Sequence, residues 1–272
     1  MDDSQASLRI ERRTIGDAEG GAPVAWIWMA RPALHNAFDE GLIAALDEAL
    51  ATLDADPSVR VIVLAGEGRS FSAGADLRWM QRQGEAAEAD NLDDARRLAA
   101  LFRRIAECRK PTVARVQGAA LGGGMGLACA CDVCVASEDA SFATTEVRLG
   151  LIPAVIGPYV LRAIGARQAL RYFQSGERIP AARARELGLV HELVERESLD
   201  ARLDEILEAL LAGGPQAQAA AKALVRDLSL RPLDLTLIAD TAARIARLRA
   251  TPEAREGLEA FLAKRAPDWG PA

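Results

Sequence analysis

Histidine is almost missing from this chain: only His35 and His191 occur in 272 residues. Neither stands near a Ser or Cys in a nucleophile setting, which excludes a Ser-His or Cys-His hydrolase. No apolar run reaches the roughly 20 residues that a membrane helix needs. The opening MDDSQASLRIERR has no apolar centre and does not read as a secretory signal. Soluble, cytoplasmic residence is the expectation. Lys and Arg are scattered through a chain of net charge −6. Phosphate-backbone binding needs a concentrated positive face, so nucleic acid is not expected as a partner. Aromatic residues are also scarce, at 4%.

Cysteine is sparse but clustered, with Cys129, Cys131 and Cys134 spaced C-x-C-x2-C and Cys108 upstream. The surrounding GLACACDVCVAS is apolar and element-forming. Zinc ligands converge from turns and need further Cys or His nearby. These are read as reduced core cysteines, and no metal site is expected.

What is present is a core. Half of the residues are hydrophobic, enough for a large domain. The segments 1–7 and 16–23 read as loose. Strand patterns fall at 8–13, 23–28, 59–65, 112–116, 132–136 and 190–194. Helical patterns lie between them, at 36–55, 94–108 and 123–131. Beyond Ile156 the chain reads as helices at 158–166, 167–174, 181–187, 199–212, 216–228, 233–249 and 252–264. Alternating strands and helices predict an α/β fold with a largely parallel sheet. The division expected is a core at 1–195 and a helical region at 196–272.

Three segments could carry chemistry. In Phe71-Ser-Ala-Gly-Ala-Asp-Leu77, small residues admit a ligand close to the backbone, although a plain strand-to-helix turn reads equally well. In Gly118-Ala-Ala-Leu-Gly-Gly-Gly-Met-Gly, glycines precede an apolar helix. Helix starts offer free N–H groups to an oxyanion, and tight helix packing is the alternative. In Thr144-Thr-Glu-Val-Arg-Leu-Gly, Glu146 borders an apolar stretch. Desolvation raises a carboxyl pKa and poises it for proton transfer, whereas a surface Glu–Arg pair is the ordinary fate of such residues.

Taken together with RPALHNAF (31–38), GEGRSFSAGADL (66–77), KPTVARVQGAALGGGMGLACACD (110–132), EVRLGLIPAVIG (146–157) and FLAKRAPDW (261–269), these segments resemble the enoyl-CoA hydratase/isomerase, or crotonase, family from about Ala25 to Trp269. The resemblance implies a spiral of β-β-α units followed by a helical trimerisation region, with trimers that commonly stack into hexamers. It implies an acyl-CoA thioester substrate and no separate cofactor, since coenzyme A belongs to the substrate. By motif position, the N–H groups of Ala75 and Gly123 hold the thioester oxygen of an enolate, and Glu146 moves the proton. Ala33, Leu34, His35, Ala73, Ala75, Asp76 and Leu77 match coenzyme A-binding positions. Phe261 and Lys264 match a C-terminal helix that reaches a neighbouring subunit's nucleotide.

Hydratases of the two-glutamate type would have their second carboxyl at Gly126. Its absence favours either a one-carboxyl hydratase or a 3-enoyl to 2-enoyl-CoA isomerase; a weakly catalytic acyl-CoA-binding protein is a further alternative. GADLRWM, GGGMGL and EVRLGLIPAVIGPYV resemble the methylglutaconyl-CoA hydratase branch, which implies a branched or carboxylated 2-enoyl-CoA. On that reading the space at Gly126 admits an acyl branch. Arg148 then reads either as a partner for a substrate carboxylate or as half of a structural ion pair.

Overall fold

The computed structural model describes residues 7–15, 23–229 and 231–269. Apart from Ser7 and Pro23, the segments read as loose lie outside the described residues. The order is β1 (Leu8–Thr14), β2 (Pro23–Met29), α1 (Glu40–Ala55), β3 (Val61–Gly66), α2 (Leu77–Glu85), α3 (Glu88–Glu107), β4 (Thr112–Val116), β5 (Ala119–Leu121) and α4 (Gly123–Ala130). Then come β6 (Val133–Ser137), β7 (Ser141–Ala143), α5 (Gly157–Ser175), β8 (Ile179–Pro180), α6 (Ala181–Glu186), β9 (Glu192–Val194), α7 (Leu199–Leu211), α8 (Pro215–Leu228), α9 (Leu235–Arg249) and α10 (Pro252–Leu262).

Six strands form one sheet in the order β1-β2-β3-β4-β6-β9, and β5-β7-β8 form a smaller one. In the large sheet only the β1–β2 pairing is antiparallel. β3, VIVLAG, is buried along its whole length, as a central parallel strand covered on both faces must be. Successive side chains alternate between faces. Ala25, Ile27, Ile62, Leu64, Ala114 and Val116 join the main core with α1, α3 and α4. Val24, Trp26, Val61, Val63 and Val113 face a second cluster closed by Leu199, Leu203 and Leu207 of α7.

The expected α/β core with a helical C-terminal third is observed. The predicted helix at 36–55 begins later, at Glu40, because Asp39 caps it by accepting from the Leu42 N–H at 2.8 Å. The two helical patterns at 158–174 are observed as the two halves of α5, separated at Gly165, whose φ of 73° and ψ of 158° are not helical. Helix α2 follows the strand-to-helix turn read at 71–77, and its polar sequence buries only Trp79. α4, GGMGLACA, is apolar all round and nearly all buried, the mark of an internal helix. No described helix is long and apolar enough to cross a membrane.

Candidate active site

The site forms where two turns run side by side. Ser72 N–H donates to Ala119 O at 3.0 Å, and Leu121 N–H donates to Ser72 O at 2.9 Å. This pairing carries the 72–76 turn alongside the start of α4. Gly74 and Gly122 take φ values of +87° and +49°, which L side chains rarely adopt. At Gly74 a methyl group would also lie 2.7 Å from Leu121 O.

Two N–H groups are left free by this geometry. Gly74 O accepts from the Phe38 N–H at 2.7 Å. In a trans peptide the C=O and N–H point in opposite directions, so the Ala75 N–H is turned outward. Gly122 O accepts from the Gly126 N–H at 3.1 Å, which aims the Gly123 N–H out of the start of α4. Gly122 offers no capping side chain. Neither the Ala75 nor the Gly123 N–H donates to a protein acceptor among the described residues. Free first-turn donors and the positive helix end suit a developing oxyanion.

Glu146 completes the group. It begins a short 3₁₀ turn, Glu146–Leu149, closed by Gly150. Its carboxyl lies over Gly122: a methyl group there would be 3.2 Å from Glu146 Oε1 and 4.0 Å from Gly74 Cα. Glu146 Oε2 is buried without a hydrogen-bond partner. Burial holds this carboxyl above the usual glutamate range, opposed weakly by its own backbone N–H. A partly desolvated carboxyl with one oxygen unpartnered, beside two unused donors, can pass a proton to and from a carbon whose charge is held on a neighbouring oxygen.

The residues matched to coenzyme A also meet. Ala73 N–H donates to His35 O at 2.9 Å, and His35 Nδ1 lies 3.1 Å from Ser70 Oγ. Ala33 and Leu34 are exposed just before it, and Leu77 is exposed just after the 72–76 turn. The Asp76 side chain acts structurally, capping α2 by accepting from the Arg78 and Trp79 N–H groups. Among the described residues, no hydrogen bond or ion pair joins Phe261 or Lys264 to this site; Phe261, at the end of α10, is 81% exposed.

One expectation is corrected. Gly126 does not open onto free space. It is buried, and a methyl group there would run into Ile156 Cγ2, lying 2.8 Å from Ile156 Cβ and 2.9 Å from Phe102 Cε1. Side chains from α3 and the start of α5 close over α4 at this point, and glycine permits that approach. Arg148 forms no ion pair among the described residues and is exposed, with its Nε near Gly176.

Two residues not singled out from the sequence prove central. Asn36 is fully buried: its Nδ2 donates to the Glu67, Ser70 and Phe71 carbonyls, and its Oδ1 accepts from the Arg31 N–H. Phe38 anchors the Ala75 peptide. An Asn beside a helix cap is the available signal for the first; the second is visible only in three dimensions. His191 Nδ1 accepts from the Cys134 N–H at 3.0 Å, a structural contact. The four cysteines are free, and Cys108, Cys131 and Cys134 are buried.

Known proteins share this fold and sequence. A crystal structure of an enoyl-CoA hydratase from Shewanella pealeana superposes with a TM-score of 0.92 at 40% identity, covering 98% of this chain and 97% of that one. The 2,3-dehydroadipyl-CoA hydratase of Escherichia coli is 35% identical, covering 90% of this chain and 94% of the relative. The crotonyl-CoA hydratase of Syntrophomonas wolfei is 32% identical, covering 89% and 92%. The sequence model of enoyl-CoA hydratase/isomerase matches residues 19–271. With fold and sequence in agreement, this chain belongs to the enoyl-CoA hydratase/isomerase family.

Proposed function

We propose that the chain is an enoyl-CoA hydratase that adds water to a 2-enoyl-CoA thioester. The observation that carries this is the half-buried Glu146 carboxyl, its Oε2 without a hydrogen-bond partner, standing over the turn at Gly122 beside Gly74. The thioester oxygen sits between the Ala75 and Gly123 N–H groups, which stabilise charge as the enolate forms. The Glu146 carboxylate takes a proton from water as the oxygen adds to the β-carbon. The same carboxyl then returns a proton to the α-carbon. Ala33, Leu34, His35, Ala73, Asp76 and Leu77 border the coenzyme A portion. Phe261 and Lys264 serve the nucleotide of a neighbouring subunit in a homo-oligomer, a trimer or dimer of trimers.

The acyl group on this reading is branched or carboxylated. The unpaired guanidinium of Arg148 supports a carboxylate, as does the name of the Escherichia coli relative, which acts on 2,3-dehydroadipyl-CoA.

A second reading, a 3-enoyl to 2-enoyl-CoA isomerase, is favoured by one observation. The space beside Gly126 is filled by Ile156 and Phe102, so that position brings no second carboxyl, and a double-bond shift needs only one. One assay separates the readings. Hydration of 2-enoyl-CoA thioesters, 3-methylglutaconyl-CoA included, removes conjugated absorbance, whereas isomerisation of 3-enoyl-CoA creates it. No change with either set would leave only an acyl-CoA-binding protein.

A further inference from the structure

Both free donors rest on one residue. Phe38 N–H donates to Gly74 O, and Phe38 O accepts from the Asp76 N–H, each at 2.7 Å. The backbone at residue 38 therefore grips the peptide groups on both sides of Ala75. The Phe38 ring is 1% exposed and lies against the other donor: a methyl group at Gly123 would be 2.5 Å from Cε2 and 2.9 Å from Cδ2. Residue 38 thus spans the gap, by backbone on one side and by ring on the other.

The segment holding Phe38 is itself clamped. Arg31 Nη1 donates to Ala37 O at 2.7 Å and pairs with Asp39 at 2.8 Å, while Nη2 lies 3.7 Å from Asp76. Asp39 and Asp76 are the N-caps of α1 and α2. One half-buried guanidinium therefore ties both helix starts to the turn that carries Ala75. A planar, two-sided donor suits that role better than an ammonium.

We propose that Phe38 is the spacer that sets the separation of the Ala75 and Gly123 donors, and that Arg31 is the positioning residue that holds it through Asp39 and Asp76. This rests on the oxyanion role proposed above. Oxyanion donors act only when fixed at the right place, so a loosened spacer weakens enolate stabilisation more than ground-state binding.

The test uses acetoacetyl-CoA, a thioester whose 1,3-dicarbonyl group enolises when its oxygen is stabilised, giving near-ultraviolet absorbance. The full-length Phe38→Leu, Arg31→Met and Arg31→Lys proteins are compared with the parent for enolate absorbance, calorimetric affinity, kcat and KM, with thermal melts to verify folding. In Phe38→Leu the bound enolate fraction and kcat should each fall about tenfold, with KM held, as for a contact made chiefly in the transition state. Arg31→Met should shift the same way, and Arg31→Lys should recover part of the loss. The proposal is overturned if folded Phe38→Leu keeps the parent enolate signal, or if enolate and affinity fall in proportion, as general loosening would produce. If Phe38→Leu does not fold, the contrast between Arg31→Met and Arg31→Lys decides in the same way. A parent protein that does not bind acetoacetyl-CoA would instead sink the coenzyme A reading itself, and this proposal with it.

Discussion

In the body of the molecule Leu46, Val63 and Phe142 are fully buried, whereas in the C-terminal third Leu233, Leu235, Phe261 and Leu262 are each at least 80% exposed. The two regions are built from the same kind of residue. The body closes most of its apolar side chains between a sheet and the helices on both faces. Helix α9 is instead tied to α8 and to the segment between them by the Asp227–Arg244 and Asp240–Arg231 ion pairs, and α9 and α10 leave large apolar side chains exposed. Apolar surface on this scale marks an interaction face, which agrees with the proposed homo-oligomer. Chemistry should therefore be lost by single changes in the body, and assembly by changes in the helical third.

The largest expected effect is at Glu146. Glu146→Gln should lower turnover by about 10²–10⁴-fold, the usual worth of a general acid–base group, while thioester binding and molecular mass stay as in the parent. Near-parent turnover would remove Glu146 from the mechanism. Next comes Gly126. Because Ile156 and Phe102 occupy the neighbouring space, Gly126→Ala should cost about 1–3 kcal/mol by overpacking, read as a lower urea midpoint. An unchanged midpoint would mean that these two side chains move aside freely.

A smaller effect concerns pH. The Glu146 carboxyl is raised in the folded state by burial, so its neutral form favours folding and its charged form opposes it. That contribution is complete below the unfolded glutamate pKa and disappears as pH rises through the folded one. At pH 8 Glu146→Gln should melt above the parent, and the difference should close at acidic pH. The hydration rate should rise with pH through a midpoint above the ordinary glutamate value. A midpoint at the ordinary value would contradict a desolvated base. The least effect on folding is expected at the far end: Phe261→Ser with Leu262→Ser should change folding stability by no more than about 0.5 kcal/mol, yet lower the mass seen by light scattering. An unchanged mass would place assembly elsewhere.

The same contrast explains what can be read in the sequence. The strands are legible because runs such as VIVLAG and TVARV are apolar and β-branched, and the pattern at 112–116 matches the observed β4 at both ends. Most helices after Ile156 are legible from period alone. Helix α2 is legible from its start after Asp76 rather than from period, because Arg78, Gln81, Arg82 and Gln83 conceal a single buried Trp79. At the site, Ala75, Gly123 and Glu146 lie far apart in the chain, and only the family motif joins them. Gly126 misleads for a physical reason. What fills the space beside a helical glycine is decided by Phe102 and Ile156, more than twenty residues away on either side, and no local pattern reports them. Phe38 escapes notice likewise: its role lies in what its two faces touch.

The buried thiols have a practical consequence. Burial pushes Cys108 up to about 12, assisted by the Asp54 carboxylate, and pushes Cys131 and Cys134 higher still. Only the thiolate attacks an alkylating reagent, so under native conditions these positions should stay silent until the surrounding structure opens. Cys108 sits between α3 and β4, and Cys131 and Cys134 flank the junction of α4 and β6. Their rate of alkylation is therefore a stopwatch placed inside the body. Run alongside a probe on α10, it would tell whether the catalytic half stays shut while the helical third comes and goes.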